Sequence, residues 1–268
     1  MDRRQVKSIL ILFMTIINAA LLLLLIGRTL AAKRVSLRAR EDLLALLEER
    51  GLYIASAALP DESLRAVTLE VTRNPAREAE LLETLIGPTE AEDTGGNLII
   101  YRGSGGYAEF RTGGMFRVIP EMPFAIEPGE NASRAAERLL LAWGEQLPPK
   151  RREGNLLTIA QRVQGLPLWN GEVSFDEQEQ GLGEISGRWV LGTPAALTSQ
   201  QGLSAGMTLL RFSAGLREAL TVEDVQLGYV AAAVDPLTVR LTPVWRVSFS
   251  EEIRFFNAVT GEEEPASP

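Results

Sequence analysis

Residues 8–26 read SILILFMTIINAALLLLLI, a run with no charge, no proline and no glycine. At about 1.5 Å per residue, a helix of that length spans roughly 28 Å, which matches the hydrocarbon thickness of a bilayer. The run therefore predicts a single-pass transmembrane signal anchor. Arg3, Arg4 and Lys7 precede it, and Arg28, Lys33, Arg34, Arg38 and Arg40 follow, a count that does not favour a cytoplasmic tail. A large following domain is translocated largely regardless of flanking charge, however, so the short tail is expected in the cytoplasm and the body on the extracytoplasmic side. A cleaved signal peptide with Leu30-Ala31-Ala32 as its exit is the competing reading, but the apolar run exceeds the usual core of about 7–15 residues. Within the helix, Ser8, Thr15, Asn18 and Ala19 fall in an arc of about 100°. An amide at mid-bilayer seeks a partner on another helix, so these residues are the expected partner-binding face.

Composition excludes much chemistry. The chain has no cysteine and no histidine, which removes disulfides, thiolate nucleophiles, Ser-His-Asp arrangements and the HExxH zinc site. Lysine occurs only at positions 7, 33 and 150, and Lys150 sits in a Pro-Pro-Lys-Arg-Arg turn unsuited to a Schiff base. Residues 1–34 carry a net charge of +5 within a total of −8, leaving −13 for the remainder. A body that acidic repels phosphate backbones, so nucleic acid is not an expected partner.

Beyond Gly27 the pattern predicts α+β architecture with mostly antiparallel sheets, in two domains after the anchor. The expected divisions are 1–30 for the tail and anchor, 31–125 for a stalk helix and first domain, and 126–268 for a second domain. Leu37, Leu43, Leu44 and Leu47 line one side of a helix through Arg50, closed by Gly51. Leu52–Leu59 and Ala66–Thr72 are expected strands, and Asn74-Pro75 opens a helix from Ala76 to Ile86. Asn97–Arg102 and Gly106–Arg111 read as a hairpin across Gly103-Ser104-Gly105, which lacks the GK[ST] ending of a phosphate loop. Met115–Ile119 is one more strand. The segment PEMPFAIEPGE (120–130) is the strongest linker signal. Asn131 or Ser133 caps the next helix, then Asn155–Arg162, Leu166–Phe175 and Glu184–Leu191 follow as strands. Ser213 is read as the cap of a helix through Leu220, before strands at Leu227–Val234, Val239–Ser248 and Ile253–Ala258.

Paired carboxylates are the remaining catalytic device. Asp176-Glu177-Glu179, Glu251-Glu252 and Glu262-Glu263-Glu264 qualify by type, yet each sits in a charge run that a solvated turn explains. No catalytic residue, cofactor, metal or small-molecule substrate is expected. Trp169, Trp189 and Trp245 stand among alternating apolar residues and read as core.

The opening MDRRQVKSILILFMTIINAALLLL, together with GLPLWNGEVSF, SGRWVLGTP, LGYV and LTPVWRVSF…FFNAVTGE, resembles the YycI-type (YycH/YycI) regulatory proteins of the WalK/WalR two-component system. The resemblance covers the anchor and roughly 131–262. It implies a non-catalytic membrane-anchored regulator whose helix packs beside a sensor histidine kinase and a YycH-type partner in the lipid bilayer. The PVWRV…NAVTGE pair also resembles PepSY-like domains, which implies instead an inhibitory or ligand-binding module. That alternative needs a peptide groove or a free sheet edge, with Arg240–Ser248 the strand to inspect. A carboxylate-dependent hydrolase is the remaining alternative.

Overall fold

The structure is a computed structural model that describes residues 13–14, 17–18, 21–22, 37–61, 65–141, 150–197, 202–250 and 252–264. A helix over 37–49 (α1) ends at Gly51, whose φ of 80° turns the chain into β1 (Leu52–Ile54). Leu47 and Leu52 are fully buried with Leu43 and Leu44 beside them, the spacing of an amphipathic stripe. Arg40 fixes the approach by donating to the carbonyls of Ser56, Leu59 and Pro60.

After β2 (Leu69–Thr72) comes α2 (Pro75–Ile86). Asn74 Oδ1 accepts from the Arg77 amide at 3.2 Å, and proline occupies the first helical position, where its missing N–H costs nothing. An antiparallel meander follows: β3 (Thr89–Asp93), β4 (Ile99–Gly103), β5 (Gly106–Phe110) and β6 (Met115–Pro120). Asn131 then caps α3 (Ala132–Leu141), accepting from the Arg134 amide at 2.9 Å. A second meander runs through β7 (Lys150–Glu153), β8 (Leu156–Val163), β9 (Leu166–Gln178) and β10 (Gly181–Arg188). The short β11 (Ala195–Ala196) and the Ser204-capped α4 (Ala205–Ser213) precede β12 (Leu220–Ala233), β13 (Thr238–Phe249), β14 (Ile253–Asn257) and β15 (Glu263–Glu264).

These strands join one sheet in the order β11-β2-β13-β12-β9-β10-β6-β5-β4-β3, with β8 beside β9 and β7 beside β8. The sheet is mixed, because β12 runs parallel to both β1 and β9. Strands from either side of the proline-rich segment pair directly, β6 with β10.

Two apolar clusters hold the layers. In the meander half, Tyr101, Ala108, Val118, Ile185, Phe175 and Leu157 lie in register across successive strands and are buried. Leu81, Leu82 and Ile86 of α2 and Ala135, Ala136 and Leu140 of α3 cover that row. Burying each such leucine contributes about 1.5–3 kcal/mol. In the other half Leu47, Leu209, Trp245 and Phe256 pack together, and Trp245 Nε1 donates to the Leu203 carbonyl at 3.0 Å.

Several expectations need correction. Among the described residues no helix is long and apolar enough to cross a membrane. Of the stretch 8–26, Phe13, Met14, Ile17, Asn18, Leu21 and Leu22 are described, each helical and exposed, while Ser8, Thr15 and Ala19 lie outside the described residues. A span needs about 20 consecutive apolar residues, and α1 is amphipathic, carrying Arg38, Arg40, Glu41, Asp42, Glu48 and Glu49. The transmembrane part of the expected fold, the single-pass localisation and the kinase-regulator function acting through helix contacts are overturned on this finding. The α+β class stands, with a mixed sheet in place of mostly antiparallel ones. Leu52–Leu59 is strand only to Ile54, since Ser56–Ala58 forms a single 3-10 turn. Ser213 ends a helix rather than opening one. Arg240–Ser248 is no free edge: β12 flanks it on one side, β2 and β14 on most of the other.

Candidate functional site

Alternation along a strand puts the neighbours of the buried row on the opposite face of the meander half. There Glu92, Ile100, Glu109, Arg117, Ser186, Ser174, Thr158 and Arg151 stand in register from β3 across to β7. With both α2 and α3 packed on the other side, this face carries none of the helices that build the core. Its arginines pair with carboxylates, across strands for Arg102 with Glu92 at 3.8 Å, Arg117 with Glu184 at 2.6 Å and Arg151 with Glu172 at 3.6 Å, and along the chain for Arg111 with Glu109 at 3.0 Å. The hydrogen bond that Arg117 donates to Glu184 raises its guanidinium above its ordinary range. Toward the centre the side chains shorten to the hydroxyls of Ser186, Ser174 and Thr158, the last two 3.2 Å apart.

Long charged side chains around short hydroxyls leave a trough. A groove of about 410 Å³, open to solvent, is lined by Glu109, Arg111, Met115, Arg117, Ser186 and Gly187. Glycine at 187 is required by geometry: its φ is 148°, and a Cβ there would lie 2.0 Å from the Glu172 carbonyl oxygen. The close approach of β9 and β10 flattens the floor beside Ser186.

At the end of the groove β12 leaves β9 after the Tyr229–Leu168 bridge. The Asn170 side chain takes over the role of the missing strand, donating to Ala231 O at 2.9 Å and accepting from Ala231 N at 2.8 Å. Arg188, the cross-strand neighbour of groove residue Met115, reaches the same carbonyl through Nη1 at 3.4 Å. Its Nε is shielded from solvent and finds no acceptor, and no ion pair reaches it among the described residues. Burial pulls the Arg188 guanidinium below its ordinary value, although an arginine remains charged at any accessible pH.

A second, tighter crevice of about 20 Å³ runs between β2, β13 and the end of β10, past Arg73, Glu78 and Trp189. Glu78 is 2% exposed and accepts from Arg73 Nε at 2.6 Å, Arg73 Nη2 at 2.9 Å and Tyr101 Oη at 2.9 Å. Burial first, and the Glu78 charge second, push the Tyr101 hydroxyl far above its ordinary range. Desolvation works against the Arg73 charge, but its hydrogen bond and attraction to Glu78 win, and its pKa is raised. Three donors on one buried carboxylate lock α2 to the sheet.

The carboxylates singled out from sequence are dispersed. Asp176 accepts from Gln178, Glu177 pairs with Arg152, Glu252 with Arg254, and Glu264 accepts from Asn257. Glu251 lies outside the described residues, and among those described no three acidic side chains are placed to hold a metal ion. Trp189 and Trp245 are core, whereas Trp169 is half-buried with the Arg246 guanidinium 5.2 Å from its ring centre. Sequence reading passed over Arg188 and Asn170, both inside runs taken simply as strands. The available signal was glycine beside arginine within a strand, the mark of a close backbone approach.

No family model matches the chain, and no curated protein matches it. Among solved structures, the chain is similar to an uncharacterized protein from Eubacterium rectale ATCC 33656 at 12% identity and TM-score 0.47, covering 85% of this chain and 99% of that one. It is also similar to the YpeB C-terminal domain of Bacillus megaterium at 11% identity and TM-score 0.38, covering 73% of this chain and 96% of that one.

Proposed function

We propose that the chain is a non-catalytic, PepSY-like ligand-binding module that seats an extended polypeptide segment on the open face of its meander sheet. The observation carrying this reading is the groove itself, with Ser186 and Gly187 on its floor and the paired charges of Glu109, Arg111 and Arg117 along its rim. An extended segment presents backbone amides and carbonyls at the strand spacing, which the Ser186 hydroxyl on the groove floor is able to meet. The rim offers both signs of charge, as recognition of side chains along a peptide requires. Shape and charge here suit binding, and dispersal of the acidic residues gives a hydrolytic reading no comparable support.

Panning a displayed random dodecapeptide library against the full chain tests this. The expected result is enrichment of a consensus whose binding is lost in Ser186→Arg and Met115→Arg, both at residues that line the trough, and kept in Glu80→Arg on exposed α2 surface. Absence of enrichment, or binding indifferent to both trough substitutions, overturns the proposal.

A further inference from the structure

We infer that Arg188 is the receptor for a carboxylate carried by the bound polypeptide, an assignment that rests on the binding reading above. The other four arginines of the open face named above each face a carboxylate. Arg188 has five N–H donors and one long contact, 3.4 Å to Ala231 O, with Nε excluded from water and unmatched. Leaving a shielded charged donor unsatisfied is unfavourable. An acceptor meeting the guanidinium nitrogens other than Nε gives the charge a partner only in the bound state, which is how differential binding at one point arises.

The geometry around it narrows the chemistry. Asn170 also donates to the Ala231 carbonyl, so the guanidinium is tethered at one nitrogen, and its strand register sets Arg188 opposite Met115, a residue of the groove wall. A planar fork matches a planar carboxylate in two parallel hydrogen bonds. Glu109, Glu184 and Glu172 on the same face, and a net charge of −13 beyond residue 34, disfavour a dianionic phosphate. Both a C-terminal carboxylate and an acidic side chain supply the required group.

The test follows the Arg188 Nε–Hε resonance of the full chain, assigned by its loss in Arg188→Lys. N-acetyl-triglycine, which has a free carboxylate, is expected to shift Hε downfield saturably, and N-acetyl-triglycinamide is not. Peptides enriched by panning are expected to bind about tenfold or more weakly to Arg188→Lys, because a point charge cannot replace a bidentate fork. Amidating the C-terminus, or replacing acidic side chains by their amides, identifies which carboxylate is read. Equal responses to acid and amide probes overturn the inference whether or not the lysine variant folds. Enriched peptides that bind the trough but ignore both Arg188 and every carboxylate overturn it while leaving the peptide-binding reading intact. If no peptide enriches, that reading fails, and an acid-specific shift still establishes the carboxylate site.

Discussion

At the scale of single residues, the Arg73–Glu78–Tyr101 cluster and Arg188 are opposite solutions to burying charge. Glu78 is saturated by donors from its own chain. Replacing it by glutamine leaves Arg73 buried without a counter-charge, and the expected loss is about 3–5 kcal/mol of folding stability, read from urea unfolding. Tyr101 adds a pH dependence. Its folded-state pKa is raised above the unfolded value of about 10. The contribution is therefore full below about pH 10 and is lost as pH rises toward the folded pKa. The urea midpoint of the wild-type protein should fall more steeply above pH 10 than that of Tyr101→Phe. Tyr229, raised by burial alone, adds a background that both proteins share. Among the described residues Arg188 has no carboxylate partner, only the long contact to Ala231 O, which makes it a candidate contact and not a structural lock.

At the scale of elements, the sequence was most legible where local chemistry suffices. Asn74-Pro75 and Gly87 bracket α2 as expected, and Asn131 caps α3. Asn74→Ala should lower stability by about 1 kcal/mol in thermal or urea unfolding, since it removes the acceptor for the Arg77 amide. Legibility failed where tertiary pairing decides. β3, with the sequence TEAED, has no apolar alternation because it is an edge strand whose residues from Glu90 onward are exposed. β7 is likewise an edge strand of charged residues, Lys150 to Glu153. Ser204 and Ser213 are equally good caps by type, and burial of Ala205 and Leu209 against the second cluster places α4 after the first. The candidate site was the least legible part. Arg188 is distinguished by what does not approach it, and a strand pattern carries no trace of an absent partner.

At the scale of the whole molecule, a mixed sheet is covered by helices on one face of its meander half, and among the described residues neither α2 nor α3 lies on the other. The apolar stretch at 8–26 suggested that function would lie in a membrane helix, but the described structure contains no spanning helix and turns attention to that open face. Folding and recognition are thereby assigned to opposite sides of the same strands: Val118, Ile185 and Phe175 build the core while Arg117 and Ser186 present the trough. The most direct test is a backbone amide perturbation map of the full chain titrated with a library-enriched peptide. The account predicts shifts concentrated at Glu109, Met115, Arg117, Ser174, Ser186 and Arg188, with Leu81, Leu82, Ala135 and Ala136 beneath the sheet unmoved. Shifts centred on α2 and α3, or spread without regard to face, would contradict it.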